Sequence, residues 1–403
     1  MIPSDLLTKA SLVPFEVLGV NGHIHTPSSF SAFSDIEQPF TMARDEQIAV
    51  LGINDFYVTD GYDDFHRLAE AYRVYPLFNV EFIALDKKLQ ASGIRINDPG
   101  NPGRIYFSGK GLAYPQRLTA AGGARLASLM KATQEQVGEM IAKTNSWLAE
   151  AGLPVQLGYA EVKARYAREL VRERHIAKAL RVAVMEAFST EEAQREAFTR
   201  MFGGVAPASD IHRNADLENE IRARLLKAGG KAFVPEEESA FLSLEEAMEM
   251  IRKAGGIPCY PVLLDDKNGK CTDFEGDAAA LSRELSARGV YAIELIPGRN
   301  SLEALEPFVA HFADKGFVIC LGTEHNAPDM IPLTCDTRGK LPLTDFLKRV
   351  NYEGACVIAA HQYLQAQGLE GYIDASGKAR QAERLWFVTL GNAVIRNFRE
   401  GNK

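Results

Sequence analysis

No apolar run approaches the roughly 18 residues that a membrane-spanning helix needs, so this 403-residue chain is expected to have no membrane partner. Its opening, "MIPSDLLTKASLVPF", lacks the basic stretch and long apolar core of a secretory leader, and a cytoplasmic location follows as an expectation. Cysteine is scarce and scattered. The five residues at 259, 271, 320, 335 and 356 are odd in number and nowhere closely spaced, which excludes a disulfide framework and argues against a thiolate zinc site. Positive charge is also short: 45 Lys and Arg face 53 Asp and Glu, for a net charge of −8. A molecule that repels polyanions overall and has no dense basic run is not expected to bind nucleic acid. The most basic segment, "VKARYARELVRERHIAKALR" (162–181), reads as a helix with a solvated face.

What is present is ordinary globular material, 46% hydrophobic and 24% charged, enough for one large core or two smaller ones. Short apolar segments that read as strands, "FYVTD", "LFNVEFIAL", "RIYFS", "IPCYPVLL", "YAIELI" and "FVICLG", alternate with helical patterns such as "DDFHRLAEAYRVY", "LSLEEAMEMIRKAGG" and "AAALSRELSARGV". The "SLEE" stretch carries a capping-box pattern. Repeated strand, helix, strand argues for a parallel α/β architecture. Residues 112–242 differ: they are almost wholly helical and look inserted, dividing the chain into a barrel unit (1–111 and 243–403) and a helical insertion (112–242). The region after 340 reads as two or three further helices, ending in "QAERLWFVTLGNAVIRNF".

Chemistry-bearing residues sort to the C-terminal ends of the strand candidates, where barrel-type α/β folds build their sites. His23 and His25, in "VNGHIHTPSSFSAFSD", leave the same face of an extended segment and present two imidazoles to one point. Asp35 follows as a possible oxygen ligand. Glu81 stands in an otherwise apolar strand, where an unpaired carboxylate is costly, so a metal or a basic partner is expected beside it. Glu324 and His325 follow an apolar strand and a glycine; a regular strand does not let neighbours chelate one ion together. Asp60 supplies either an oxygen ligand or a cap for the helix near Asp63.

The ordered set "HIHT…FSD", "VLGINDFYVTDG", "NVEF", "RERHIAKAL", "AFVPEEESAFLSLEEAMEMIRKAGGIPCYPV", "YAIELIP" and "CLGTEHN", spanning roughly residues 15–330, resembles the polymerase-and-histidinol-phosphatase (PHP) superfamily. It is most similar to the branch of metal-dependent phosphoesterases that carries a helical insertion. The resemblance implies a distorted (β/α)7 TIM-like barrel with a mainly helical insertion, holding divalent metals at its C-terminal face and hydrolysing phosphate esters. It makes His23 and His25 the opening ligands, Asp35 the acidic ligand after them and Glu81 a carboxylate that bridges metals. Imidazole and carboxylate donors suit Zn, Mn or Fe.

Several family positions differ here. The family's Thr-Asp-His reads Thr59-Asp60-Gly61, its Ala-His-Pro histidine falls on Tyr260, and "RIYFSG" offers no histidine. Its closing Asp-x-His reads Glu324-His325-Asn326. One or two ions rather than three are therefore expected, with the subsite at Tyr260 weak or missing. The resemblance also places Arg174 and His175 of "RERHIAKAL" at a basic helix start near the site, where they either bind phosphate or pack as a surface cation and a buried ring. Arg299 in "IPGRNS" is a further candidate for an anionic substrate. The expected activity is metal-dependent hydrolysis of a small phosphorylated metabolite. Ligand binding without hydrolysis, or another hydrolytic or lyase reaction at the altered site, are the alternatives.

Overall fold

The computed structural model describes residues 10–115, 118–265, 271–272 and 274–401, so the first nine residues of the opening segment lie outside the described residues. Seven strands form one sheet in sequential order: β1 (Gly19–Ile24), β2 (Ile48–Phe56), β3 (Tyr75–Leu85), β4 (Arg104–Lys110), β5 (Ile257–Pro261), β6 (Ala292–Leu295) and β7 (Val318–Leu321). Ile24 bridges Glu324 just past β7, and the His25 N–H donates to the Glu324 carbonyl at 2.8 Å. The sheet thus nearly closes into a distorted TIM-like barrel.

The all-parallel series expected from strand–helix alternation needs one correction. β4 runs antiparallel to both β3 and β5, while the other pairs are parallel. A parallel return requires a crossover long enough to pack a helix on the sheet, and residues 86–103 carry only a five-residue helix (Lys87–Ala91). The second strand also starts eight residues before the expected "FYVTD": it is "IAVLGINDF", a run whose continuous apolar character does not distinguish strand from helix.

In chain order the helices are α1 (Gln38–Asp45), α2 (Tyr62–Tyr72), α3 (Lys87–Ala91), α4 (Ala120–Glu150), α5 (Tyr159–Tyr166), α6 (Glu173–Ala187), α7 (Glu191–Met201), α8 (Asn214–Ile221), α9 (Leu244–Lys253), α10 (Ala278–Ala287), α11 (Leu302–Asp314), α12 (Asp345–Ala366) and α13 (Arg384–Glu400). The expected capping box opens α9: the Glu246 N–H donates to Ser243 Oγ at 3.1 Å, and the Ser243 N–H donates to Glu246 Oε2 at 2.8 Å. Among the described residues, no helix is long and apolar enough to cross a membrane.

The barrel is stoppered from below by α12. Its Tyr352, Cys356, Ile358 and Ala359 are buried in one cluster with Val20, Val50, Leu77, Ile257, Ala292 and Val318, residues at or near the starts of six strands. Two polar side chains of α12 complete backbone bonds there: Gln362 joins Phe78 N–H and Pro76 O, and Asn351 joins Leu321 N–H and Val20 O. Buried main-chain groups need such partners.

Helices α4–α8 enclose a core of their own, with Leu148, Ile176, Leu180, Phe198, Leu217 and Ile221 inaccessible to solvent. The basic segment 162–181 is not one helix. It breaks into α5 and α6 around residues 167–172, where Leu170 and Val171 are fully buried. That break puts Arg172 and Arg174 at the start of α6, facing a cavity instead of solvent.

Candidate metal centre

His23 lies near the end of β1 and His25 directly after it, and both are buried, as is Glu81 of β3. The backbone of Gly322 packs on His23 so closely that a Cβ there would stand 2.5 Å from His23 Cβ, so this position has no room for a side chain. Each imidazole has a hydrogen-bond partner at Nδ1. His23 Nδ1 lies 2.9 Å from Glu294 Oε2, an acceptor, so Nδ1 carries the proton and Nε2 a lone pair. Ser29 donates its hydroxyl proton to Asp55 Oδ1 at 2.7 Å, leaving Oγ to accept from His25 Nδ1 at 3.4 Å. With the proton on Nδ1, His25 Nε2 also presents a lone pair.

The two Nε2 atoms face each other at 3.3 Å, and His25 Nε2 is 3.3 Å from Glu81 Oε2. The Asn54 amide lies 3.1 Å from His23 Nε2 and can donate to it, and a cation or a proton among the three electron-rich atoms would relieve the repulsion that remains. Two nitrogens bound to one tetrahedral ion at about 2.0–2.1 Å would be roughly 3.3 Å apart, so the donor set fits a divalent metal. Burial, opposed by His23, pushes the Glu81 carboxyl up to about 8, and burial lowers the pKa of His25. Without a cation, neither group readily carries charge.

Beneath this group lies a buried polar layer centred on Glu294, whose place at the end of the "AIEL" strand marks it as a candidate functional residue, and on Lys110, which carries no such mark. Glu294 of β6 accepts from Lys110 Nζ at 2.5 Å and from Ser108 Oγ at 2.5 Å, and Lys110 also donates to Asn54 Oδ1 at 3.0 Å. Asp55 holds the loop after β1 through Thr26 N–H at 2.7 Å, Thr26 Oγ1 at 2.5 Å and Ser29. A lysine closing a strand reads as a solvated end. The local signal that it is not is the alternation Tyr106, Ser108, Lys110 along β4, which puts Lys110 on the face of Ser108.

Glu324 lines the same cavity as His23 and Glu81. It and His325 both take left-handed backbone conformations, with φ of 62° and 51°. Such conformations cost non-glycine residues of order 1–3 kcal/mol each and cluster at functional sites. The turn separates the two side chains. Glu324 pairs with Arg299 and accepts from Asn326 Nδ2 at 2.6 Å. His325 instead bonds Thr323 Oγ1 at 2.7 Å and the Ile331 carbonyl at 2.9 Å, and stacks on Phe33.

Other expected participants lie elsewhere. Asp35 is exposed and accepts from the N–H groups of Glu37 and Gln38 at 2.9 Å, fixing the chain ahead of α1. Asp60 is exposed, and the N-cap of α2 is Gly61, with no side-chain cap. A Cβ at Gly61 would stand 2.9 Å from Ser28 Oγ and 3.2 Å from Ile53 Cδ1, so no histidine fits without displacement. Tyr260 turns from the cavity and donates to Glu275 at 3.1 Å. His175 accepts the Arg172 N–H at 3.0 Å, and burial lowers its pKa to about 4; it is a neutral cap of α6.

Above the His-His-Glu group opens a cavity of about 910 Å3 lined by His23, Glu81, Glu324, Arg299 and, from the helical region between β4 and α9, Arg172, Arg174 and Arg222. Glu173 serves two of these arginines, with Arg222 at 2.9 Å and Arg172 at 3.8 Å. Arg174 makes no hydrogen bond or ion pair among the described residues. Burial and then the charge of Arg222 lower its pKa to about 10.

The barrel thus brings a buried His-His-Glu group to its mouth, the face at which barrel-type α/β folds build their sites. No protein-family model and no curated protein match the chain. Solved structures do. One, from Bifidobacterium adolescentis, is described by a proposed metal-dependent phosphoesterase activity; it is 16% identical, with a TM-score of 0.56 over 83% of this chain and 96% of its own. Another is an amidohydrolase from Chromobacterium violaceum, solved with bound sulfate and no metal. It is 17% identical, with a TM-score of 0.50 over 82% of this chain and 96% of its own. At these identities the likeness is one of fold.

Proposed function

We propose that the protein is a metal-dependent phosphoesterase that acts on a small anionic substrate, and that it works in the cytoplasm. The observation that carries this reading is the convergence of His23 Nε2, His25 Nε2 and the Glu81 carboxylate below a cavity whose roof holds an unpaired arginine. These three residues would hold the ion, with Glu324 as a further carboxylate at the rim. A divalent ion so held supplies a water of lowered pKa and a Lewis acid for a phosphoryl oxygen. Glu294 keeps His23 in the tautomer that offers Nε2, and Asp55 does the same for His25 through Ser29. Arg174, desolvated and without a counter-ion, binds the substrate's negative charge with bidentate hydrogen bonds. Arg299, tied to Glu324, adds positive charge where it develops during phosphoryl transfer. The insertion, residues 112–242, roofs the cavity, limits water and sets substrate size. Support for phosphate-ester chemistry comes also from the fold shared with the Bifidobacterium protein.

The test is metal analysis after dialysis against Mn or Zn, followed by assay on a panel of phosphate esters. His25→Ala should lose bound metal and turnover while the metal-free protein stays folded. A folded, metal-loaded wild type that turns over no ester would end the phosphoesterase reading.

A further inference from the structure

The layer beneath the proposed ligands contains a second positive charge, built from the chain itself. Lys110 is inaccessible to solvent. Both of its partners, Glu294 Oε2 at 2.5 Å and Asn54 Oδ1 at 3.0 Å, are acceptors, so the nitrogen donates to each. The same Glu294 oxygen accepts from His23 Nδ1 at 2.9 Å, and the other carboxylate oxygen accepts from Ser108 at 2.5 Å. Every face of this carboxylate inside the barrel is thereby engaged.

We propose that the Lys110 ammonium occupies a cation position next to His23 and limits the centre to a single exogenous divalent ion. This rests on the metal-binding reading above but goes beyond it. A metal on a carboxylate oxygen approaches to about 2.0–2.2 Å, and Lys110 Nζ already stands at 2.5 Å from the oxygen that would serve. A second divalent ion would also meet a fixed ammonium in a medium of low dielectric, where like charges repel strongly. Lys110 is a positioning residue: it holds Glu294, and Glu294 holds the His23 tautomer.

Lys110→Met keeps length and removes charge. Ions per chain would be counted by elemental analysis after dialysis against Mn, with thermal melting recorded with and without Mn. Wild type should bind about one ion and Lys110→Met about two, with Mn raising the melting temperature of the variant more than that of wild type. The double variant Lys110→Met with Glu294→Gln removes both charges and should return to about one ion. If Lys110→Met does not fold, Lys110→Gln, which retains a donor to Glu294, must show the same gain. Two ions on wild type, or one ion on the folded charge-removed variants with no extra thermal response, would overturn the proposal. A wild type with no ion would instead sink the metal reading itself.

Discussion

The floor of the barrel and the roof of its cavity treat charge in opposite ways. On the floor, each buried polar group has a partner: Lys110 with Glu294 and Asn54, Glu294 with His23 and Ser108, Asp55 with Thr26 and Ser29. On the roof, Arg172 and Arg222 share Glu173, and Arg174 is left over. A complete network specifies one geometry, whereas a surplus cation keeps a place for an anion that the chain does not supply. Under the proposed function, the contrast separates residues that hold the site from residues that would meet a substrate.

Breaking the floor should have the largest effect. Glu294→Ala leaves Lys110 buried without its counter-charge, and removal of one member of a buried pair costs about 3–5 kcal/mol. Urea unfolding of the metal-free protein measures this, and a loss below about 1 kcal/mol, the level of an exposed pair, would contradict a buried network.

Acid should reach the same half of the molecule through His361 of α12, below the floor. Its Nδ1 accepts the Tyr372 N–H at 2.9 Å, and Nε2 lies 2.9 Å from the Gly255 carbonyl, so the ring is neutral. Burial lowers its pKa to about 4 from an ordinary 6.5. The unfolded chain therefore takes up the proton first. The stabilisation is complete above about pH 6.5 and is lost as pH falls toward about 4, by about 2–3 kcal/mol at pH 4.5. His361→Gln should flatten that slope in urea titrations at successive pH values; parallel slopes would show that the ring does not contribute.

The roof should respond in the reverse sense. Arg174→Ala removes a desolvated cation that satisfies nothing in the fold, so stability should be unchanged or slightly higher. Binding of the substrate should weaken by roughly tenfold to a hundredfold, the worth of hydrogen bonds to a charged group. An increase in KM with intact melting temperature is the expected signature. A fall in melting temperature with unchanged KM would move Arg174 to the structural side of the comparison.

Legibility from sequence followed the range of the interaction involved. The pair His23 and His25 was readable because a strand's alternation is local, and Glu81 because a lone carboxylate in "LFNVEFIAL" asks for a partner. The α9 capping box was readable for the same reason. Asp35 and His175 carried the right residue types but serve as local caps, a use that competes with ligation wherever a polar side chain lies near a helix start. Tyr260 aligns with a family ligand position, which makes a weak or missing subsite the expectation; the barrel turns its phenol toward Glu275, leaving Cys259 in the cluster of the barrel bottom.

The amino-acid order by itself determined the strand–helix series, the helical character of the region between β4 and α9 and the approach of two imidazoles, because each depends on periodicity within a few residues. Only the tertiary structure decided the reversal of β4, the left-handed turn that parts Glu324 from His325, and the meeting of Lys110 with Glu294 across 184 residues. Those depend on how the sheet closes. Barrel closure brings strands from distant parts of the chain into one low-dielectric interior, where a buried lysine persists only if a carboxylate from another strand reaches it.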